Sequence, residues 1–336
     1  MNGIAFSAPG KAVLCGDYAV LRGAPAISMA INRRARATLC SAPGACHVVE
    51  TPGFEAGSWR FETAEDGRVH WLDQPPAGGL RLVEHAFSAL PGRALPASAL
   101  TVDTREFFAA AGGAKLGFGS SAAAVVALVA ALEARAGVLE NSWLPARRAH
   151  SRFMDGHGSG VDVATSYHGG LLAYRRQSTE GPVKLNWPGG LVGRFLYSGR
   201  SASTLAKLQQ VSDSADQSWS ALAAAAEDAV EAWASGDAEC ALESVRHYGY
   251  ELMRFSDRHD LGIFAAGHNT LAVLAEEYDA VYKPCGAGGG DIGIVLATND
   301  TAVESFCTRA LEYGFTPLNV DLEHSGLIPE EAAPDE

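Results

Sequence analysis

Along the first forty residues, short apolar runs alternate with turn residues: 4–8 (IAFSA), 12–16 (AVLCG), 26–31 (AISMAI) and 34–41 (RARATLCS). In the last run Arg34, Arg36 and Thr38 alternate with Ala35, Ala37 and Leu39, the period of a half-buried strand. Two further strands are expected at 59–63 and 68–72, joined by a turn through Asp66 and Gly67. Leu80, Val83, Phe87 and Leu90 then repeat at helical spacing, and 100–104 reads as a strand. Residues 120–136 form a long Ala/Val/Leu run with no polar face over its first three turns, which predicts a buried helix.

A strand at 170–174 is followed by a polar, Gly- and Pro-bearing stretch, 175–188, which marks a change of domain. Beyond it helices dominate, at 215–234, 238–255 and 261–278. Strands follow at 280–282 and 291–296, then a helix at 301–313 and a strand at 318–322. The expected organisation is an N-terminal domain over 1–180, a C-terminal domain over 181–328 and an acidic, frayed tail at 329–336. The whole reads as α+β.

Composition narrows the function. With 26 Lys and Arg against 39 Asp and Glu, the net charge is −13, which argues against a nucleic-acid binder. No signal-peptide core and no run of about 20 apolar residues is present, so a soluble, cytoplasmic protein without a membrane anchor is expected. The six cysteines show no zinc spacing and read as reduced thiols.

Glycine is the outlier, at 37 of 336 residues or about 11%, where about 7% is usual. Much of the excess falls in three loops. The first contains Gly113, Lys115, Gly117, Gly119, Ser120, Ser121 and Ala122 and runs straight into the buried helix. A glycine loop at a helix start lets backbone amides and the positive dipole end approach a phosphate. Its serines have three open roles: capping the helix, binding a phosphate oxygen or touching Mg²⁺. The second loop is 283–291, with Gly286, Gly288, Gly289 and Gly290. The third is 156–165, where Asp162 is either a reactive carboxylate or a simple turn or cap residue. Neither 117–122 nor 288–293 has the strand–loop–helix setting of a dinucleotide fingerprint, and Gly10-Lys11 is followed by Ala12, which excludes a Walker A loop.

Together the loops resemble the three ordered motifs of the GHMP kinases, the superfamily of galactokinase, homoserine kinase, mevalonate kinase and phosphomevalonate kinase. The matching residues are 7–11 with 16–21, 115–123 and 283–291. The resemblance implies an α+β, two-domain fold: an N-terminal α/β domain with a left-handed β-α-β crossover and a ferredoxin-like C-terminal domain. Among the members, Lys115 in the ATP loop, the 149–170 stretch and the 198–204 segment resemble the phosphomevalonate kinases. Ser151 stands where mevalonate kinases carry a Mg²⁺-binding glutamate. Departures are Phe118 for leucine and Tyr197-Ser198 for Trp-Thr.

The implied activity is ATP-dependent phosphorylation of 5-phosphomevalonate. Mevalonate kinase, diphosphomevalonate decarboxylase and a non-catalytic ligand sensor are the alternatives. ATP and Mg²⁺ are the implied cofactors and a phosphorylated small molecule the partner, with a homodimer left open. The resemblance makes Asp162 and Lys11 the catalytic pair and gives ATP to Lys115, Gly117, Gly119, Ser120, Ser121 and Ala122, with Mg²⁺ on Ser121. The acceptor falls to Lys11, His157, Ser159, Gly160, Ser201, Ser203, Gly286, Ala287, Gly288 and Gly289. An anionic substrate on an acidic protein requires cations gathered at the cleft, and Lys11, Lys115, His157, Arg200 and Lys283 are the candidates.

Overall fold

The computed structural model describes residues 3–331 except 77, 79, 91, 93, 94, 110–112, 139, 140, 179, 202–206 and 208–216. Two long strands, β1 (Ile4–Cys15) and β2 (Ala26–Ser41), pair antiparallel from Ile4 opposite Leu39 to Cys15 opposite Ile27. The four apolar runs of the sequence are therefore two strands. Pro9 and Gly10 do not end β1 but sit at an irregularity within it, a position where a strand tolerates the missing amide of proline.

The chain continues through β3 (His47–Thr51), β4 (Glu55–Thr63), β5 (Val69–Trp71), α1 (Arg81–Ser88), β6 (Ser98–Asp103) and α2 (Ser120–Arg135). Next come α3 (Trp143–Phe153), α4 (Val161–His168), β7 (Leu171–Tyr174), β8 (Val183–Leu185) and β9 (Val192–Tyr197). The second half adds α5 (Gln217–Ser235), α6 (Ala238–Arg258), α7 (His268–Glu276), β10 (Val281–Pro284) and β11 (Ile292–Ala297). It closes with α8 (Asp300–Ala310), β12 (Thr316–Leu318) and β13 (Ile328–Glu330).

A nine-stranded sheet has the path β13-β1-β2-β6-β3-β4-β5, with β7 paired to another part of β2 and β8 to β7. Against it lies α2, fully buried from Ala122 to Leu132 and covered by α1, α3 and α4. The absence of a polar face in 120–136 is thus explained: sheet and helices surround α2. A second, antiparallel sheet has the order β10-β11-β9-β12 and carries α7 and α8, while α5 and α6 pack as a helical pair. The change of sheet falls between Leu185 and Val192.

Four differences from the sequence reading have local causes. The helix expected over 261–278 begins only at His268, because Asp260, Gly262, Ala266 and Gly267 all take positive φ and break the turn repeat. The strand expected at 318–322 is instead Thr316–Leu318, next to the buried Phe315. The helix expected over 301–313 ends at Ala310 and tightens into a 3₁₀ turn through Tyr313. The tail is not frayed from 329: Pro329 and Glu330 pair with Phe6 and Ala5, so the end of the second half is stitched back onto the first sheet. Among the described residues no helix is long and apolar enough to cross a membrane.

Candidate active site

Lys11 projects from β1 just beyond the irregularity at Gly10. Its backbone amide donates to the Phe118 carbonyl at 2.9 Å, which joins β1 to the glycine loop before α2. A Cβ on Gly10 would meet Phe107 at 2.5 Å and the Phe118 carbonyl at 2.7 Å, so only glycine permits this approach. The Lys11 stem then crosses Gly119, the N-cap of α2, whose φ is 73°.

Asp162 lies in the first turn of α4, after Gly160 has turned the chain with φ 87°. Its Oδ1 is 3.0 Å from Lys11 Nζ. The Lys11 side chain is 10% exposed and that of Asp162 31%, so the pair opens on one side to the cavity. Burial acts to lower the Lys11 pKa, but the Asp162 carboxylate outweighs it and holds the ammonium above its ordinary value. Burial likewise acts to raise the Asp162 pKa, and Lys11, with His150 and Lys115, holds it below the usual carboxylate range. Both groups are charged at neutral pH.

A cavity of about 530 Å³ surrounds this pair. Lys115, Gly117, Gly119 and Ser121 of the first glycine loop line it, together with Ser159 and Gly160 before α4 and with Ser201, Gly286 and Ala287. Desolvation, ahead of the like charge of Lys11, holds the Lys115 ammonium below its ordinary value, opposed by Asp291. Ser201 Oγ donates to the Lys115 carbonyl at 3.4 Å.

The structure thus brings Lys11, Asp162, Lys115, Gly117, Gly119, Ser121, Ser159, Gly160, Ser201, Gly286 and Ala287 to one cavity. It does not bring every expected residue there. Ser120 is fully buried with its hydroxyl unpartnered, so it offers the cavity no side chain. The Ala122 amide is already bonded to the Gly119 carbonyl at 3.1 Å, and its methyl is buried. His157, Gly288 and Gly289 lie off the cavity wall, and Ser203 lies outside the described residues. Lys283 is not a cleft cation: it is fully buried and paired with Asp17 at 2.8 Å.

Residues without an expected role also line the cavity. His150, on α3, places Nε2 3.3 Å from Ser121 Oγ, and burial holds its imidazole pKa below the ordinary histidine value. Tyr18 and Asp291, both with positive φ, flank the glycine loops. Tyr18 stands in the first motif, at 16–21, but neither its strained backbone nor the side-chain position of His150 leaves a sequence signal.

Solved structures share this architecture. Streptococcus pneumoniae phosphomevalonate kinase, in complex with phosphomevalonate and AMPPNP, aligns with a TM-score of 0.78 at 20% identity, covering 95% of this chain and 99% of its own. Lactococcus lactis galactokinase, complexed with galactose, aligns at 0.73 with 13% identity over 98% and 95% of the two chains. These set the fold class, that of the GHMP kinases. No protein-family model matches the chain. Sequence carries the assignment further: the phosphomevalonate kinase of Streptomyces sp. (strain CL190) is 33% identical over 340 residues, 86% of this chain and 88% of that protein. The chain belongs to the phosphomevalonate kinase family of GHMP kinases, and is a kinase.

Proposed function

We propose that this protein transfers the γ-phosphoryl group of ATP to the phosphate of 5-phosphomevalonate, forming 5-diphosphomevalonate. The observation that carries the reading is the Lys11–Asp162 pair at 3.0 Å, facing a cavity that also receives the start of α2. Phosphoryl transfer needs positioning and charge stabilisation more than covalent chemistry, and these groups supply both.

Among the described residues the amides of Ser120 and Ser121 have no acceptor, so the helix start presents two free donors and its dipole to the β- and γ-phosphates. Gly117 and Gly119 bring that backbone close, and Lys115 adds a cation along the same wall. Lys11 stabilises charge on donor and acceptor phosphates. Asp162 orients the acceptor through Lys11 rather than serving as an obligatory base. Its own proton affinity is depressed, and a phosphate monoester, with a second pKa of about 6, is already largely ionised at neutral pH.

The donor set suits Mg²⁺ carried by a nucleotide. Among the described residues no group of three or more His, Cys, Asp or Glu is placed to hold a metal alone, whereas Ser121 and Asp162 both line the cavity. Mg²⁺ usually keeps waters and phosphate oxygens beside one or two protein ligands, and it neutralises charge on the transferring group when bound. Ser201, Ser159, Gly160, Gly286 and Ala287 form the acceptor side.

ADP release measured with MgATP against mevalonate, phosphomevalonate and diphosphomevalonate tests the reading. Turnover with phosphomevalonate at a kcat/KM at least about a hundredfold above the other two is expected, the scale of discrimination that specific polar contacts provide. Preference for mevalonate or diphosphomevalonate, or no turnover with any of them, would reject it.

A further inference from the structure

Asp17 and Lys283 lie 266 positions apart, one in the first glycine-bearing motif and one in the third. They meet at 2.8 Å with side chains 1% and 0% exposed. Such a pair is costly to bury, and replacing both charges with apolar groups of similar size is often neutral for stability. A purely structural role therefore does not account for it well. Its hydrogen bonds show a more specific one.

Asp17 uses both carboxylate oxygens. Oδ2 accepts from Lys283 Nζ, and Oδ1 accepts from the Gly286 amide at 2.7 Å. Lys283 Nζ also donates to the Pro284 carbonyl at 2.7 Å, and the Tyr248 hydroxyl donates to the Asp17 carbonyl. One residue further along the first motif, the Tyr18 hydroxyl donates to the Ala287 carbonyl at 2.7 Å. The Cys285–Gly286 peptide is thus held by Asp17 and the Ala287–Gly288 peptide by Tyr18. Between them lies the Gly286–Ala287 peptide. Among the described residues neither its carbonyl nor its amide has a hydrogen-bond partner, and both its residues line the cavity. It lies beside Lys11: a Cβ on Gly286 would be 4.0 Å from Lys11 Nζ.

We propose that Asp17 and Lys283 are a positioning pair for phosphoryl transfer: they lock one flank of the Gly286–Ala287 peptide so that its polar groups stand preset beside Lys11 for the transferring phosphate. Lys283 keeps the carboxylate aimed, and Asp17 in turn holds the Gly286 amide. Preset dipoles lower the barrier because they need no reorganisation when charge develops. The inference rests on the kinase reading of the cavity.

Two double variants separate positioning from stability. D17N/K283M removes both charges and retains an oxygen for the Gly286 amide, whereas D17L/K283M removes the charges and the acceptor together. Each single variant that strands a buried charge, such as K283M, is expected to melt well below both doubles. At pH 7.5, kcat of D17L/K283M is expected to be at least about tenfold below that of D17N/K283M, with the KM for ATP within about twofold. Equal kcat in the two doubles would make the pair a core ion pair only and overturn the proposal. Should D17L/K283M not fold, Y18F tests the other flank: a kcat reduced at least about fivefold at an unchanged melting temperature supports the locked peptide, and wild-type kcat overturns it. Failure of the kinase reading shows separately, as a wild-type protein that releases no ADP with any of the three acceptors.

Discussion

Lys11 and Asp162 hold each other charged, and this determines what each substitution does. Lys11→Ala leaves Asp162 without its main counter-charge, while Asp162→Asn leaves Lys11 free to swing from the transfer line. Each variant is expected to lose at least about a hundredfold in kcat, the usual scale of an electrostatic contact at the reacting centre. Circular dichroism and thermal melting should show both folded. Near-wild-type kcat in both would remove the pair from the chemistry. Lys115→Met is expected to raise the KM for ATP or for the acceptor, because Lys115 is the second cation on the same wall; unchanged KM for both would make it a surface lysine. At this scale the sequence was legible where a residue stood in an ordered motif, as Lys11, Ser121 and Asp162 did. It was not legible where the deciding fact is burial. Lys283, read as a cleft cation, is enclosed with Asp17, and the Ser120 hydroxyl is walled off by the core.

The elements that carry the site are a strand with an irregularity, two helix starts and two glycine turns. Gly117 shows how tightly they are fitted: its φ is 89°, and a Cβ there would lie 2.5 Å from Asp291 Cβ. Gly117→Ala should raise the KM for ATP and lower stability by roughly 1–3 kcal/mol, from left-handed strain and the clash together. Adding Asp291→Gly should recover part of that stability in urea unfolding, since it removes the clash and leaves the strain. Full additivity of the two substitutions would contradict the contact. Elements with a plain pattern, such as the unbroken apolar run of α2, the long helix α6 and the Ala/Arg alternation in β2, could be read from the chain. By contrast α3 was not recognised, because Pro145 and the Arg147-Arg148 pair interrupt the face on which Ala146, Ala149 and His150 are buried. For α4, eight residues opened by a glycine turn are too short for a period to show. β9 is the central partner of β11 and β12, and tertiary pairing defines it more than its own pattern does.

For the whole molecule, the −13 charge and the cations at one cavity belong together: an acidic protein that takes an anionic substrate needs cations at its site, and Lys11 and Lys115 line that cavity. Stability at acid pH should follow the buried histidines. His268 is fully enclosed; Nε2 must donate to the Gly290 carbonyl at 3.0 Å, so Nδ1 accepts from the Tyr282 hydroxyl at 2.8 Å. Burial lowers its pKa from 6.5 to about 4. Because the unfolded chain takes up this proton first, stability is kept above pH 6.5 and lost as pH falls toward 4. The loss from this residue is about 3 kcal/mol. Urea unfolding at pH 7 and pH 4.5 should show a shallower dependence in His268→Gln than in the wild type; parallel slopes would rule out this source. The three-motif order made the GHMP class readable from sequence, whereas the return of β13 to the first sheet depends on pairing across more than 320 residues, which no local pattern carries. In the proposed reaction the acceptor oxygen belongs to a phosphate. Phosphorus NMR of a reaction containing MgATP and phosphomevalonate measures this directly. The phosphomonoester resonance of the acceptor is expected to be replaced by the coupled pair of a diphosphate as ADP accumulates. A second phosphomonoester resonance, marking transfer to a carbinol oxygen, would contradict it.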